Sequence, residues 1–454
     1  MSNVSSPFDC QHLAHFFPPQ LVVQWFEEAS PDYQWRDRLL PRPVLFLGFL
    51  LYTLEGFGNL AHAFSDAAAR LRPDQMPHSL SQGSVSPARN RLPLEVLTTA
   101  WQYVLRLASE ATPPSPIEGY SVLCLDGTTF SLADTPENEA AFGRLSGGGG
   151  KAAFCSVRSV LVMDAASHLF VAERHGACDR RSEASLADEL LGAVINPGVL
   201  LEADRLFLSY RRLKRITALG GDALIRAKKN LHLPVLKELS DGSYLSRMYD
   251  GTKDKDRDRS PIQVRVISYA VVDAQGERKE FRLVTTVLDH KRLPAKVAAR
   301  GYHLRWREET GIRELKWLRE RFRVPHCPGQ SPASVEQEYA GMLLAHSILR
   351  CLMAFSAKEN GADPTRLSLS GTRAALNRFF ARLPHVPPEH MGLWLTALLE
   401  DIARLKLPAP NGRVCPRTVK PKICRYPSKR RSIEPALSYP CYRLELRQIP
   451  QQQP

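Results

Sequence analysis

Tyr302-His303-Leu304-Arg305-Trp306-Arg307-Glu308-Glu309-Thr310-Gly311-Ile312-Arg313-Glu314-Leu315-Lys316 is the most informative stretch of this chain. Read as one helix, it places Tyr302, Arg305, Glu309 and Lys316 at about 0°, 300°, 340° and 320°, since each residue turns about 100°. They form a stripe roughly 60° wide. One face then carries an aromatic hydroxyl, a guanidinium, a carboxylate and an ammonium. That set suits a metal-bound phosphodiester and predicts a chain that cuts or joins DNA. A blander reading stands beside it. Arg305 and Glu309 are four apart and fit an exposed helix ion pair worth about 0.3–0.5 kcal/mol.

Working outward, the preceding segment alternates short apolar runs with helical patterns. Tyr120–Leu125, Val157–Met163, Leu169–Glu173, Val199–Leu201 and Ala223–Arg226 read as strands. Ser182–Val194 and Tyr210–Leu219 read as helices. Strands followed by helices predict an α/β layer. Asp126 ends the first strand and Asp204 lies just beyond the fourth. Carboxylates at the C-terminal edge of a sheet are accessible yet rigidly held, and Glu309 on a helix crossing that edge would complete a set of three. Two Mg²⁺ ions about 3.5–4 Å apart activate a water and stabilise a leaving oxygen in phosphodiester cleavage. Mg²⁺ takes hard oxygen ligands and keeps several waters, so a few carboxylates suffice. Taken singly, each Asp after a strand is better read as a turn former or helix cap.

Residues 231–292 break the α/β rhythm. Ile262–Val272 and Lys279–Leu288 are β-rich and follow a charged loop, Lys253–Arg259, which predicts a β insertion. Gly311 costs about 1 kcal/mol in a helix relative to Ala, and marks a close approach of another backbone. Gly147-Gly148-Gly149-Gly150-Lys151 tempts a phosphate-loop reading. Leu145 stands where that loop needs its first Gly and Ala152 where it needs Ser or Thr, so a hairpin connection is expected instead.

The first block, about 8–110, reads as helical. Ser79–Pro93, with Arg89 and Arg91, fits either a helix-turn-helix-like element or a solvated loop. Thr112-Pro113-Pro114-Ser115-Pro116 reads as a linker. Ser334–Ala354 is a further apolar helix. Arg413–Arg431 holds eight Lys or Arg in 19 residues with no acid and three prolines, and reads as an extended DNA-binding arm.

The bulk numbers agree. A chain of 454 residues predicts two to four units. A net charge of +14 favours a polyanionic partner, because each neutralised phosphate releases condensed counterions. Nine cysteines, odd in number and without a Cys-x-x-Cys, read as reduced thiols and not as a disulfide framework or zinc site. No signal peptide is read. The most apolar run, Val44–Leu54, has 11 residues, too few to span a bilayer.

These residues resemble the transposases of bacterial insertion sequences of the insertion-element-4 family. Its marker, Tyr-x2-Arg-x3-Glu-x6-Lys, is met at Tyr302, Arg305, Glu309 and Lys316. Leu125-Asp126-Gly127-Thr128-Thr129-Phe130 is similar to the opening Asp-Gly-Thr block, and Asp134-Thr135 and Phe142-Gly143 continue the likeness. Ala203-Asp204-Arg205-Leu206-Phe207 is similar to the second block, with Leu206 where the family often has Gly. Leu288-Asp289 and Pro294-Ala295 fit as well, as do the β-rich insertion and the basic tail.

The resemblance implies an α/β protein with a ribonuclease-H-like catalytic domain over 116–330. A helical N-terminal DNA-binding domain over 1–115 and a helical, basic region over 331–454 would flank it. It implies a DDE transposase in which Asp126, Asp204 and Glu309 bind two Mg²⁺ (or Mn²⁺) ions. Tyr302, Arg305 and Lys316 would hold phosphates near the cut. The partners implied are double-stranded DNA, as element terminal repeats and target, and a second copy of the chain, in the cytoplasm. Two alternatives stay open: a catalytically silent DNA-binding derivative, and a ribonuclease-H-like nuclease unconnected with mobility.

Overall fold

The computed structural model describes residues 17–408 apart from 36–39, 55–58, 72–79, 81, 148–149, 153, 252–253, 256–258, 274–275, 277, 321–326 and 383–385. It also describes the strand backbones at 418–419, 428–429 and 442–446. The rest of the basic arm Arg413–Arg431 lies outside the described residues.

Five helices come first: α1 (Pro19–Ala29), α2 (Arg42–Leu54), α3 (Leu60–Leu71), α4 (Gln82–Asn90) and α5 (Leu94–Ser109). Ten strands then build one sheet. They are β1 (Ser121–Ser131), β2 (Ser156–Asp164), β3 (Phe170–Ala177), β4 (Val199–Ala203), β5 (Asp222–Arg226), β6 (Lys237–Glu238), β7 (Tyr244–Met248), β8 (Ile262–Asp273), β9 (Arg278–Thr285) and β10 (Tyr442–Leu446). The order is β3-β2-β1-β4-β5-β9-β8-β7-β6, with β10 also on β8. β1 runs antiparallel to β2 and parallel to β4, and β4 runs parallel to β5. The chain is therefore mixed α/β, as its pattern predicts. Between strands lie α6 (Pro136–Phe142), α7 (Glu183–Val194) and α8 (Tyr210–Ala218). After the sheet come α9 (Ala295–Leu304), α10 (Trp306–Glu320), α11 (Pro332–Asn360), α12 (Leu369–Arg382) and α13 (Met391–Arg404).

The β-rich insertion extends the sheet. β9 pairs antiparallel with β5, and β8 and β7 follow. The glycine run forms the expected hairpin, Ser146 pairing with Lys151 and Gly147 with Gly150.

α11 is the axis of the helical part. It is buried along nearly its whole length from Val335 to Ala357, which fits a sequence apolar all round. By length and composition it could cross a membrane, yet that stretch is wholly buried in the protein. Its ends are set by Ser331, whose side chain accepts from the Ser334 N–H, and by Gly361 in the left-handed region at φ 62°. α2 and α5 pack on it, so the N-terminal helices and α11–α13 share one core with the outer face of β2 and β3. Arg89 joins the two parts. It donates to Gln337 and the Ser334 carbonyl and pairs with Glu338 at 3.1 Å. Ser79–Pro93 thus contains a helix, α4, whose arginine is held against α11. On the sheet side, His175 of β3 meets Glu173 at 2.9 Å and Glu336 of α11 at 2.7 Å. Burial works against the imidazolium, but the two carboxylates outweigh it and lift its pKa to about 10.

Candidate functional site

The register of β1 on β4 places the first two acids. Leu125 pairs with Ala203 in the parallel ladder. Asp126 and Asp204 are each the next residue, so they stand side by side where that ladder ends. β1 itself does not end at Asp126. It runs on to Ser131 because β2 continues to pair with it, Asp126 opposite Leu161. The expected strand end is thus the end of the parallel pairing, with β1 passing through.

Asp204 occupies the N-cap position of a short 3₁₀ turn, Arg205–Phe207, but its side chain makes no capping bond. Its Oδ1 is buried without a hydrogen-bond partner among the described residues. A helix cap would use that oxygen; here it has no such partner among the described residues. Asp126 is differently placed. Its Oδ1 accepts from the Gly127 N–H at 2.8 Å and its Oδ2 from Arg305 Nη1 at 3.3 Å.

The Tyr302–Lys316 stretch is not one helix. α9 ends at Leu304, Arg305 is the joint, and α10 begins at Trp306. The Arg305 N–H reaches the Tyr302 carbonyl at 3.1 Å, a three-residue step. The single-stripe geometry is therefore replaced by two helices meeting at Arg305. The break has a physical reason. Arg305 is 4% exposed, with its guanidinium against Asp126 and above the Tyr302 ring at 5.6 Å. Among the described residues, the ion pair recorded for Arg305 is with Asp126 and not with Glu309. Tyr302 is 3% exposed, and its hydroxyl donates to the Ala203 carbonyl at 3.2 Å. Burial raises its pKa, so it stays protonated. Lys316 Nζ lies 5.4 Å from the ring of Phe130 on β1. Gly311 permits close approach, though to side chains. A Cβ there would stand 2.7 Å from Met163 Sδ and 3.3 Å from Phe170.

Glu309 is exposed on α10. It is nonetheless within electrostatic reach of Asp126. Burial pushes the Asp126 carboxyl up, Arg305 and the Gly127 N–H oppose this, and the charges of Asp204 and Glu309 push it up again. Among the described residues, no three His, Cys, Asp or Glu side chains converge closely enough to enclose an ion as they stand. The charges of Asp204 and Glu309 thus both reach Asp126. The Asp204 oxygen and the hard carboxylate donors fit a divalent cation.

Two acids at this edge escape a reading of the sequence. Glu202 is fully buried beside Cys124, whose Sγ lies 3.9 Å from its Oε2. Burial raises it to about 8 against the pull of Arg305, so it is largely protonated at pH 7. Glu183 opens α7 and lies against Gly127. In the sequence, Glu202 is marked only by proximity to a strand end and Glu183 only as a first-turn acid of the helix over Ser182–Val194. The insertion also carries an open cleft of about 620 Å³. Arg205, Arg226, Lys229, Arg278, Lys279 and Arg282 line it, with Glu280 the one acid among the described lining residues. Its cations come from strands far apart in sequence, and the adjacent Arg205 follows Asp204 directly.

Residues 117–348 match the transposase DDE domain family. Over 426 residues the chain is 27% identical to the transposase InsG for insertion sequence element IS4 of Escherichia coli (strain K12), covering 92% of this chain and 93% of that one. Among solved structures, the piggyBac transposase in its synaptic complex with hairpin DNA is similar over 90% of this chain and 83% of that one, at 11% identity and a TM-score of 0.40.

Proposed function

The chain belongs to the transposase DDE domain family and is a transposase; from that membership we propose that it cuts the ends of an insertion sequence and joins them to target DNA. The observation that carries the reading is the strand edge, where Asp126 and Asp204 stand abreast and the charge of Glu309 on α10 reaches Asp126. Divalent metal ions are general to the family. We assign Asp126, Asp204 and Glu309 as the residues that hold them, two Mg²⁺ ions being the expected complement. When bound, the ions supply an activated water and a stabilised leaving oxygen. Full-length likeness to an insertion-sequence transposase favours this reading over a silent DNA-binding derivative or an unrelated nuclease.

The remaining residues prepare that edge. Arg305 stands beside Asp126 as a fixed cation, and it is the group to grip a phosphate once the carboxylate is otherwise engaged. Tyr302 ties α9 to the carbonyl just before Asp204, which holds the second acid at its depth. Lys316, farther along α10, is assigned to the DNA backbone.

The strand order β3-β2-β1-β4-β5, antiparallel then parallel, supports a ribonuclease-H-like catalytic unit over 116–330, with the insertion at 231–292 widening its sheet. Within the flanking regions 1–115 and 331–454, the described helices α1–α5 and α11–α13 share a core, and the former region is assigned to DNA. We take the partner to be double-stranded DNA bound by a homodimer in the cytoplasm. The basic cleft supports a DNA path that leaves the acidic edge at Arg205 and crosses the insertion.

The test is direct. Purified protein with DNA bearing the element's terminal repeats is expected to give strand breaks at the repeat boundary with Mg²⁺ and none with EDTA. Binding without cleavage in Mg²⁺ would sink the reading in favour of the silent derivative. For the cleft, Arg278→Glu with Lys279→Glu is expected to weaken end binding by about tenfold or more at moderate salt. The log–log salt slope should fall by about 1 per lost phosphate contact. An unchanged slope would remove the cleft from the DNA path.

A further inference from the structure

We propose, on the assignment of Asp126 as a catalytic acid above, that Thr128 is a further substrate-binding residue of this edge. Its hydroxyl donates to a DNA phosphate oxygen between Asp126 and Lys316.

Residues alternate faces along a strand, so β1 carries two rows of side chains. Leu123 and Leu125 lie in the core shared with α7. Asp126, Thr128 and Phe130 share the other face. Three contacts fix which way that face looks. Asp126 meets Arg305 at 3.3 Å. Phe130 is buried in the core that holds α10 and α11, and Lys316 Nζ of α10 lies 5.4 Å from its ring. Across the ladder, Thr128 stands opposite Ser159, whose hydroxyl bonds that of Tyr339 on α11. Successive members of the row are about 6.7 Å apart. A carboxylate, a hydroxyl and an aromatic ring with an ammonium beside it thus follow one another along β1. Asp126, Thr128 and Lys316 are each half-buried, so the row is reached from solvent.

A threonine in a strand has ordinary uses. It suits the pleated backbone, and it bonds a Ser or Thr directly across the ladder. The backbone preference is met as well by valine and needs no hydroxyl. The cross-strand residue, Ser159, bonds Tyr339 instead. Among the described residues, the Thr128 hydroxyl has no hydrogen-bond partner. What is left is a donor two residues beyond a catalytic acid, in the row that ends at a lysine assigned to the DNA backbone. Threonine hydroxyls are ordinary ligands of phosphate oxygens. A backbone running from the cut toward Lys316 passes over Thr128.

Full-length protein with Mg²⁺ would be run at single turnover on element-end DNA. The DNA is either unmodified or carries one methylphosphonate of either stereochemistry, a neutral phosphate replacement, at each position flanking the cut in turn. On unmodified DNA, Thr128→Val is expected to slow cleavage about tenfold, the size of one hydrogen bond to a charged group. Thr128→Ser is expected to cleave near the wild-type rate. At one flanking position the methylphosphonate should slow wild type while Thr128→Val adds little further loss, because both changes remove the same contact. An equal loss from Thr128→Val on every DNA is what a structural threonine gives, and it overturns the proposal. Wild-type cleavage by Thr128→Val overturns it too. If Asp126→Asn is inactive in that case, the edge stands and Thr128 alone is struck out. If Asp126→Asn also cleaves, the assignment of the edge has failed and takes Thr128 with it. Melting curves check the fold, and should Thr128→Val not fold, Thr128→Ala decides by the same comparison.

Discussion

Glu309→Gln is expected to abolish Mg²⁺-dependent cleavage of element ends while leaving their binding intact. The expected loss is about 10³-fold or more, because a bound cation supplies several kcal/mol of transition-state stabilisation and each 1.36 kcal/mol is tenfold in rate. Binding should be unchanged or slightly tighter, since one negative charge is removed next to a polyanion. The position of Glu309 separates chemistry from folding. It is exposed on α10, so the amide costs the core nothing. Its effect on Asp126 should be visible without DNA. Removing the Glu309 charge takes away one of the influences that raise the Asp126 carboxyl. Glu308→Gln, with the same charge change one residue earlier, is the control and should cleave normally. Retained cleavage by Glu309→Gln would show that α10 does not supply the third ligand.

What the sequence discloses about this site divides along physical lines. Strand periodicity and the residues just past Leu125 and Ala203 place two acids at a sheet edge, because alternation and turn chemistry are local. The parallel register that sets them abreast is not local, yet it follows from strands of similar length in one sheet. The joint at Arg305 was illegible. Helical spacing continues through it, and only a buried partner on a strand 179 residues earlier shows why the helix yields there. Glu183 was hidden for the same reason. In the sequence it is an ordinary first-turn acid, and only its approach to Gly127 sets it apart. The insertion was legible as β structure but not as a continuation of the catalytic sheet, since pairing of β9 with β5 is a choice among edges. The division of the helices was obscured too. A linker at Thr112–Pro116 suggests separation, whereas α5 on one side of it packs along α11 from the far end of the chain.

Glu314, which lies between Glu309 and Lys316 in the same helix as both, carries the largest expected effect on stability. Its carboxylate meets Arg350 and His346 of α11, the latter at 3.4 Å. Arg350 and His346 are 1% and 0% exposed. Burial alone would raise the Glu314 carboxyl, but Arg350 and the His346 hydrogen bond outweigh it and lower it from 4.5 to about 2. His346 is itself pushed down by burial, so at pH 7 it is neutral and donates Nε2–H. Glu314→Gln is expected to destabilise the protein by about 3–5 kcal/mol, because it strands a buried guanidinium without its counter-charge. Removing both charges, as Glu314→Gln with Arg350→Met, should cost less than the single change. The pH dependence has a definite sign. The group is lowered in the folded state, so its contribution is complete above 4.5 and fades as pH falls toward 2. That contribution is on the order of 3 kcal/mol. In urea melts, the gap between wild type and Glu314→Gln should therefore narrow between pH 4.5 and 2, and a gap independent of pH would refute the pairing. Since α10 is fastened to α11 at this point, the same variant should also loosen the approach of Glu309 to Asp126. Cleavage should fall even at temperatures where the protein remains folded, with DNA binding less affected. A variant that is destabilised yet cleaves at full rate when folded would show that Glu309 is held by something other than this buried pair.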